Sequence, residues 1–135
     1  MKHDNRALAI RWLEENWNTR NERIIDELLM PQTVGYMEGV EAKGPAGFRE
    51  VKQGMLASFP DLRIEILAAV ADGEVVAVRW RLRGTHKGAG PGALKATNRP
   101  VDVTGSTWFR FDGKGKILEG HDTWNQGAVL ASLAA

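Results

Sequence analysis

Apolar residues in the first third of the chain recur every three or four positions, as they do on one face of an α-helix. Such a stripe predicts an amphipathic helix over residues 5–17. A second helix is predicted from Thr19 and Glu22, which match a capping box, in which each side chain bonds the other's backbone N–H. Pro31 is expected to close it. The stripe of the first helix is Leu8, Ala9, Trp12, Leu13 and Trp17, and that of the second is Ile24, Ile25, Leu28 and Leu29.

A short strand and a third helix are predicted next. The segment TVGYME at 33–38 is typical of a strand. Pro45 stands near the start of the third helix and Pro60 at its end, which are the positions that proline favours around a helix. The apolar stripe of this helix is Phe48, Val51, Met55 and Phe59.

From Asp61 onward the hydrophobic period changes to that of β-strands. The runs LRIEILAAVA and EVVAVRWRLRG flank Asp72-Gly73, a strong hairpin signal. A glycine-rich loop at 87–98 leads to a second strand pair around DGKG, and the tail GAVLASLAA is predicted to be a short helix or coil. In the second run one face is predicted to be buried and the other solvated, because Val76, Val78, Trp80 and Leu82 alternate with Arg79, Arg81 and Arg83.

This order of elements, helices first and long antiparallel strands afterwards, is typical of the α+β class, with the helices packed on one face of the sheet. No repeat, linker or low-complexity block interrupts the pattern, so residues 1–135 are predicted to form a single domain.

The composition narrows the class of partners. Lysine and arginine total 18 against 17 for aspartate and glutamate, which argues against a nucleic-acid partner or an anionic membrane surface. Cysteine is absent, so disulfide and thiolate chemistry is excluded. Because no signal-peptide core or membrane-spanning run is visible, a cytoplasmic location without a membrane partner is expected.

Several short motifs occur in a fixed order along the chain. Together they resemble the SnoaL-like polyketide cyclase family of the NTF2-like superfamily, over roughly residues 6–134. The resemblance implies a cone, in which a strongly curved antiparallel sheet wraps around the N-terminal helices and encloses an apolar pocket, commonly in a homodimer. The motifs are FPD at 59–61, RWRLRGTHKG at 79–88, VTG at 103–105, FRFDGKGKILEG at 109–120 and WNQGAVLASL at 124–133.

The family's cyclases use an aspartate on the last long strand as the acid/base of an intramolecular aldol closure. The resemblance assigns this role to Asp122 in EGHDTW. The chain departs from the family at His121, where tryptophan is frequent, at Asn125, where aspartate is frequent, and at 96–98, where ATN replaces PTG. These departures bear on the substrate and on the reaction itself.

Strand alternation offers two faces for residues 117–125. Leu118, Gly120, Asp122 and Trp124 are interpreted as the pocket face, because they combine apolar walls, free space and one carboxylate. Burial in such a wall would raise the pKa of the carboxyl toward a range useful for proton transfer. Parity alone leaves the opposite choice open, and it would place Ile117, Glu119, His121, Thr123 and Asn125 inside.

Other candidates for the site are taken from the helices, the strands and their ends. Catalytic candidates besides Asp122 are His86 and His121, and the candidates for donating a hydrogen bond to an enolate are Trp108, Thr107, His86 and Tyr36. A metal is not expected, because the three histidines lie far apart in sequence. The expected catalyst needs no other cofactor. The candidate substrate-binding residues are Tyr36, Phe59, Trp80, Trp108, Trp124 and Asn125.

Structural roles compete with each of these assignments. Asp122 could pair with an arginine at the sheet edge, His121 could point outward at a dimer interface, and His86 could stabilise a turn. Trp12 and Trp17 are expected in the core.

Three functional hypotheses follow from these residues. The first is a cofactor-independent cyclase or isomerase acting on a small hydrophobic carbonyl compound. The second is a non-catalytic protein that binds a small hydrophobic ligand. The third is a hydratase or dehydratase in which a carboxylate and Asn125 hold a water molecule.

Overall fold

The computed structural model describes residues 4–88 and 95–134 of the chain. Half of the predicted glycine-rich loop at 87–98 lies outside this part. The helices are α1 (Asn5–Glu14), α2 (Arg23–Leu28), α3 (Gly44–Ser58) and α4 (Gln126–Ala134), with a π turn at Glu15–Thr19 between the first two. The strands are β1 (Leu29–Met37), β2 (Val40–Lys43), β3 (Arg63–Asp72), β4 (Val75–Thr85), β5 (Pro100–Phe111) and β6 (Ile117–Trp124).

The six strands form one curved, open sheet in the order β2-β1-β6-β5-β4-β3. Neighbouring strands are antiparallel, as predicted, except β1 and β6, which run parallel with Gly35 opposite Gly120. No hairpin fixes the relative direction of these two strands, because they are far apart in the sequence. This parallel pair brings β1 beside the strand that carries Asp122.

The core lies between the helices and one face of the sheet. In β4, Val76, Val78, Trp80 and Leu82 are buried, which confirms the predicted inner face. They belong to the same core cluster as five other residues that are fully or nearly fully buried: Ile24, Ile25, Leu62, Phe109 and Phe111. The α+β prediction is therefore confirmed. Among the described residues no helix is both long and apolar enough to cross a membrane.

The start of α2 differs from the prediction. The capping box of Thr19 and Glu22 is wrong, because Thr19 ends the π turn and Arg20 takes the left-handed conformation at φ 63°. The chain therefore turns at Arg20, and α2 begins at Arg23, whose N–H donates to Asn21 Oδ1 at 3.2 Å.

The FPD and GT motifs meet in space and have a structural role. Asp61 Oδ1 accepts a hydrogen bond from the Thr85 N–H at 2.7 Å, and Asp61 Oδ2 accepts one from Thr85 Oγ1 at 2.8 Å. These bonds lower the pKa of the Asp61 carboxyl. Gly84 lies so close to this turn that an added Cβ would stand 3.2 Å from Phe59 Cβ. The motifs therefore fix the end of β4 against the end of α3.

Candidate functional site

A cavity of about 110 Å³ lies between the helical layer and the inner face of the sheet. Four of the chain's five tryptophans line this cavity, and no lysine, arginine or histidine is among its described lining residues. The aromatic lining residues are Trp12, Trp17, Phe48, Trp80, Phe109 and Trp124, and the polar side chains are those of Thr33, Thr107 and Asp122.

A chain of hydrogen bonds across three strands holds the carboxyl group of Asp122. Thr107 lies directly opposite Asp122 in the β5–β6 ladder, and its Oγ1–H donates to Asp122 Oδ1 at 2.5 Å. The same hydroxyl accepts a hydrogen bond from Trp80 Nε1–H at 2.9 Å. Because Thr107 has only one hydroxyl proton, the bond from Trp80 leaves that proton directed to the carboxylate.

Gly105 makes room for the indole of Trp80. It pairs with Trp80 in the β4–β5 ladder, and a Cβ at this glycine would lie only 2.4 Å from the Cη2 atom of that ring. The ring therefore packs directly against the backbone of β5, and its Nε1 reaches Thr107, two residues along the same strand.

The environment of Asp122 raises its pKa to about 6, and the principal cause is loss of solvent around the charged form. The hydrogen bond from Thr107 and the nearby His121 oppose this shift. Some of the Asp122 surface stays accessible, in keeping with its place on the cavity wall. The alternative of an arginine partner at the sheet edge does not apply, because Asp122 makes no ion pair with any described residue.

The inner face of β6 is the predicted one from Gly120 onward, but not at Leu118. Gly120, Asp122 and Trp124 line the cavity, whereas Ile117 takes the inner position expected of Leu118 and is only 2% exposed. A register shift between Arg110 and Phe111, opposite the start of β6, breaks the alternation there. A Cβ added at Gly120 would meet no atom within 4 Å, so this glycine leaves open space in the cavity.

His121 points to the opposite face of the sheet, together with two other predicted site residues. Its imidazole stacks on Tyr36 with ring centres 4.7 Å apart and meets the edge of Trp108 at 5.4 Å. Glu119 lies 3.9 Å from His121 Nε2. None of these side chains lines the cavity. Tyr36 and Trp108, which were expected to bind the substrate, therefore lie outside it, whereas the outward direction of His121 agrees with the face of β6 that was interpreted as the pocket face. The cause is strand parity, since the neighbours of inward residues face outward.

Three further candidates also lie outside the cavity lining. Phe59 is fully buried at the end of α3 and packs 5.6 Å from the ring of His86, which is itself fully buried. His86 Nδ1 accepts a hydrogen bond from the Thr97 N–H at 3.2 Å, which fits the structural alternative of a turn-stabilising histidine. Asn125 Oδ1 accepts the Ala128 N–H at 2.9 Å and so caps α4.

Sequence reasoning missed the helical half of the cavity wall. Trp12 and Trp17 were expected only in the core, yet both line the cavity beside Phe48, at ring distances of 4.6 and 6.1 Å. The helical stripes could not reveal this, because the apolar face of a helix that covers a cavity has the same sequence pattern as one that fills a core. Among the described residues no group of histidine and acidic side chains is arranged to hold a metal ion.

Comparisons with known proteins agree with this architecture. The family model of the SnoaL-like polyketide cyclases matches residues 7–133. A proposed SnoaL-like polyketide cyclase from Jannaschia sp. CCS1 superposes with a TM-score of 0.90 at 20% identity, over 99% of this chain and 94% of that one. AclR, a proposed hydroxylase from Streptomyces galilaeus, has a TM-score of 0.82 and 26% identity over 97% and 96% of the two chains.

A third solved structure has a fold described as ketosteroid isomerase-like. A hypothetical protein with a ketosteroid isomerase-like fold from Catenulispora acidiphila, in complex with trimethylamine, has a TM-score of 0.76 and 19% identity. The match covers 94% of this chain and 92% of that one. No curated protein matches the chain. The predicted NTF2-like cone is thus confirmed.

Proposed function

Because this chain belongs to the SnoaL-like polyketide cyclase family, we propose that it is an acid/base catalyst acting on a small hydrophobic carbonyl compound. Its reaction would be an intramolecular aldol cyclisation or an isomerisation. The observation that carries this proposal is the Asp122 carboxyl, which faces an apolar cavity and is held through one oxygen by Thr107.

The proposed reaction begins with removal of a proton next to the ligand's carbonyl group. Thr107 occupies Asp122 Oδ1, so Oδ2 takes the proton and an enolate forms. In a cyclisation the enolate carbon attacks a second carbonyl of the same molecule, and Asp122 returns the proton to the new alkoxide. In an isomerisation Asp122 returns it to a different carbon. One carboxylate acting in this way contributes about 10²–10⁴-fold in rate.

The enolate oxygen needs a hydrogen-bond donor in the cavity. The donors considered from the sequence cannot bind the enolate oxygen. Thr107 already donates its hydroxyl proton to Asp122. Trp108, Tyr36 and His86 do not line the cavity. Trp12, Trp17 and Trp124 line the cavity, and their indole N–H groups make no hydrogen bond to other described residues. One of these indoles is therefore the proposed donor.

Filling the cavity should block the ligand without disturbing the fold. In the variant Gly120→Leu the new side chain enters the open space in front of Gly120, where no atom lies within 4 Å of the Cβ position. The affinity for acetophenone, measured by calorimetry, should fall at least about tenfold, or about 1.4 kcal/mol.

The matched control is Gly54→Leu on the exposed side of α3, where a Cβ also meets no atom within 4 Å. This variant should bind acetophenone as the wild-type protein does. Equal binding by the wild type and by Gly120→Leu would place the ligand outside the cavity and contradict the proposal.

A second candidate function is binding of a small organic ammonium ion. Asp122 is the only charged side chain among the described lining residues, and four tryptophans surround the same space. Indole rings attract organic cations, and rings of this kind form the cages that recognise quaternary ammonium groups. The neighbour of similar fold from Catenulispora acidiphila was solved with trimethylamine, which supports this candidate.

Choline and its neutral isostere 3,3-dimethylbutan-1-ol separate this candidate from simple apolar binding. If the cavity takes an ammonium ion, choline should bind more tightly above pH 6, where Asp122 is ionised, and Asp122→Asn should lose this preference. The affinity for the isostere should change neither with pH nor in Asp122→Asn. Isostere binding equal to that of choline at pH 8, measured by tryptophan fluorescence, would reject the ammonium candidate and leave the carbonyl proposal standing.

The predictions of a homodimer, a cytoplasmic location and independence of cofactors stay predictions. The exposed stack of Tyr36, His121 and Trp108 is a suitable surface for self-association, because Arg110 and Glu119, 3.4 Å apart beside it, supply both signs of charge. Sedimentation equilibrium would test the dimer.

A further inference from the structure

Lys52 carries a charge that the proposed chemistry does not use. It lies on the inner side of α3 with a side chain only 2% exposed, and it is not among the cavity-lining residues. Its Nζ contacts Glu22 Oε1 at 2.7 Å and donates a hydrogen bond to Asn16 Oδ1 at 3.3 Å. Burying an ammonium group is costly, and a buried ion pair is often no more stabilising than well-packed apolar side chains. The presence of Lys52 therefore calls for an explanation other than stability.

Asn16 connects Lys52 to the helix that covers the cavity. It is fully buried within the π turn, and its Nδ2 donates to the Trp12 carbonyl oxygen at 2.8 Å. One continuous set of hydrogen bonds thus runs from α3 through Asn16 to the end of α1. We call this set, Lys52 Nζ to Asn16 to the Trp12 carbonyl, the Lys52–Asn16 clasp.

The π turn decides where the second of the two helical tryptophans points. Trp12 and Trp17 are five residues apart, and in a continuous α-helix their side chains would point about 140° away from each other. The π turn contains Trp17 but not Trp12, and its hydrogen bonds join residues five apart, as from the Arg20 N–H to the Glu15 carbonyl oxygen. Each of its residues therefore rotates the chain by less than in an α-helix, which reduces the angle between the two side chains. In the structure both indoles line the cavity and both contact Phe48. The wide turn at Glu15–Thr19 is what allows this arrangement.

We propose that Lys52 and Asn16 are positioning residues that hold the π turn and thereby set the aromatic wall of the cavity. Their effect is on ligand affinity rather than on folding stability. This inference depends on the proposed function for one premise only, namely that the ligand binds in the cavity.

The test is a double variant, Asn16→Leu with Lys52→Met. Both buried polar side chains are replaced together, so that neither remains buried without the other as its hydrogen-bond partner. Its thermal midpoint should stay within about 4 °C of the wild type. The affinity for acetophenone should fall at least fivefold, because the turn relaxes toward an α-helix and Trp17 leaves the cavity. In protein labelled with 5-fluorotryptophan, one of the five ¹⁹F resonances, assigned with Trp17→Phe, should move.

Arg49→Met is the matched control. Arg49 lies on the same helix and contacts the same Glu22 at 3.5 Å, but it is not part of the clasp. It should leave both the Trp17 resonance and the acetophenone affinity unchanged. A double variant that binds acetophenone like the wild type, with the Trp17 resonance unmoved, would overturn the inference.

Asn16→Asp keeps the test decisive if the double variant does not fold. It retains an acceptor for Lys52 but loses the amide donor to the Trp12 carbonyl, so the Trp17 resonance should again move, and an unmoved resonance would overturn the inference. Failure of the wild type to bind acetophenone would instead overturn the proposed function and the affinity claim with it. The Trp17 resonance would still show whether the clasp positions the indole.

Discussion

Replacing Asp122 with asparagine should slow enzyme-promoted exchange of the α-protons of acetophenone by about 10²–10⁴-fold. Asparagine has nearly the same shape, and its oxygen can still accept the hydrogen bond from Thr107, so the cavity should keep its ligand affinity. It cannot accept a proton at neutral pH. The exchange is measured by proton NMR in deuterium oxide.

The pH dependence of the wild-type rate gives an internal check. The base must be ionised, so the rate should rise with pH and reach half its plateau near pH 6, the raised pKa of Asp122. The control is Asp102→Asn, on the outer face of the sheet, where Asp102 pairs with Arg81 at 2.6 Å. The Asp102→Asn variant should exchange the α-protons at the wild-type rate. If Asp122→Asn also exchanges them at the wild-type rate, the chemistry belongs to other residues.

The second large effect concerns stability. Between pH 4 and pH 7 the wild-type protein should lose roughly 2 kcal/mol of unfolding free energy relative to Asp122→Asn. Folding raises the pKa of Asp122 from its usual 3.8 to about 6, so the folded state holds this proton more tightly than the unfolded chain. The contribution is therefore fully present below pH 3.8 and is lost as the pH rises through 6. Each pKa unit corresponds to about 1.4 kcal/mol.

Urea unfolding of both proteins at a series of pH values measures this difference. Other carboxyl groups have lowered pKa values. Asp61 is hydrogen-bonded to Thr85, and Glu15 lies beside Arg11. Protonation of these groups destabilises the fold as the pH falls. These groups are common to both proteins, so their contribution cancels in the difference. A difference that stays constant from pH 4 to pH 7 would mean that Asp122 titrates like a solvated carboxyl group.

The fold was largely predictable because its signals are local. The helical stripes, the prolines around α3 and the alternation of Val76, Val78, Trp80 and Leu82 each depend on neighbours within one element. The exceptions arise where the backbone leaves regular geometry. The π turn displaced the predicted cap at Thr19, and the register shift near Phe111 exchanged Leu118 for Ile117 on the inner face.

The site was predictable only in part, because it depends on contacts between strands. The resemblance and the parity of β6 indicated Asp122, but not the cross-strand register that places Thr107 opposite it. The same register explains why Gly105 lies against Trp80. Tyr36 and Trp108 were misplaced, because an aromatic residue on a strand has the same local pattern whether its face is inward or outward.

A crystal structure with bound acetophenone will show whether Asp122 meets the reacting part of a ligand inside the cavity. The methyl carbon next to the carbonyl is expected to lie within about 3.5 Å of Asp122 Oδ2, while Thr107 still holds Oδ1. A ligand in the cavity with Asp122 turned away from it, or a ligand bound on the outer face at Tyr36 and His121, would show that Asp122 is not the base.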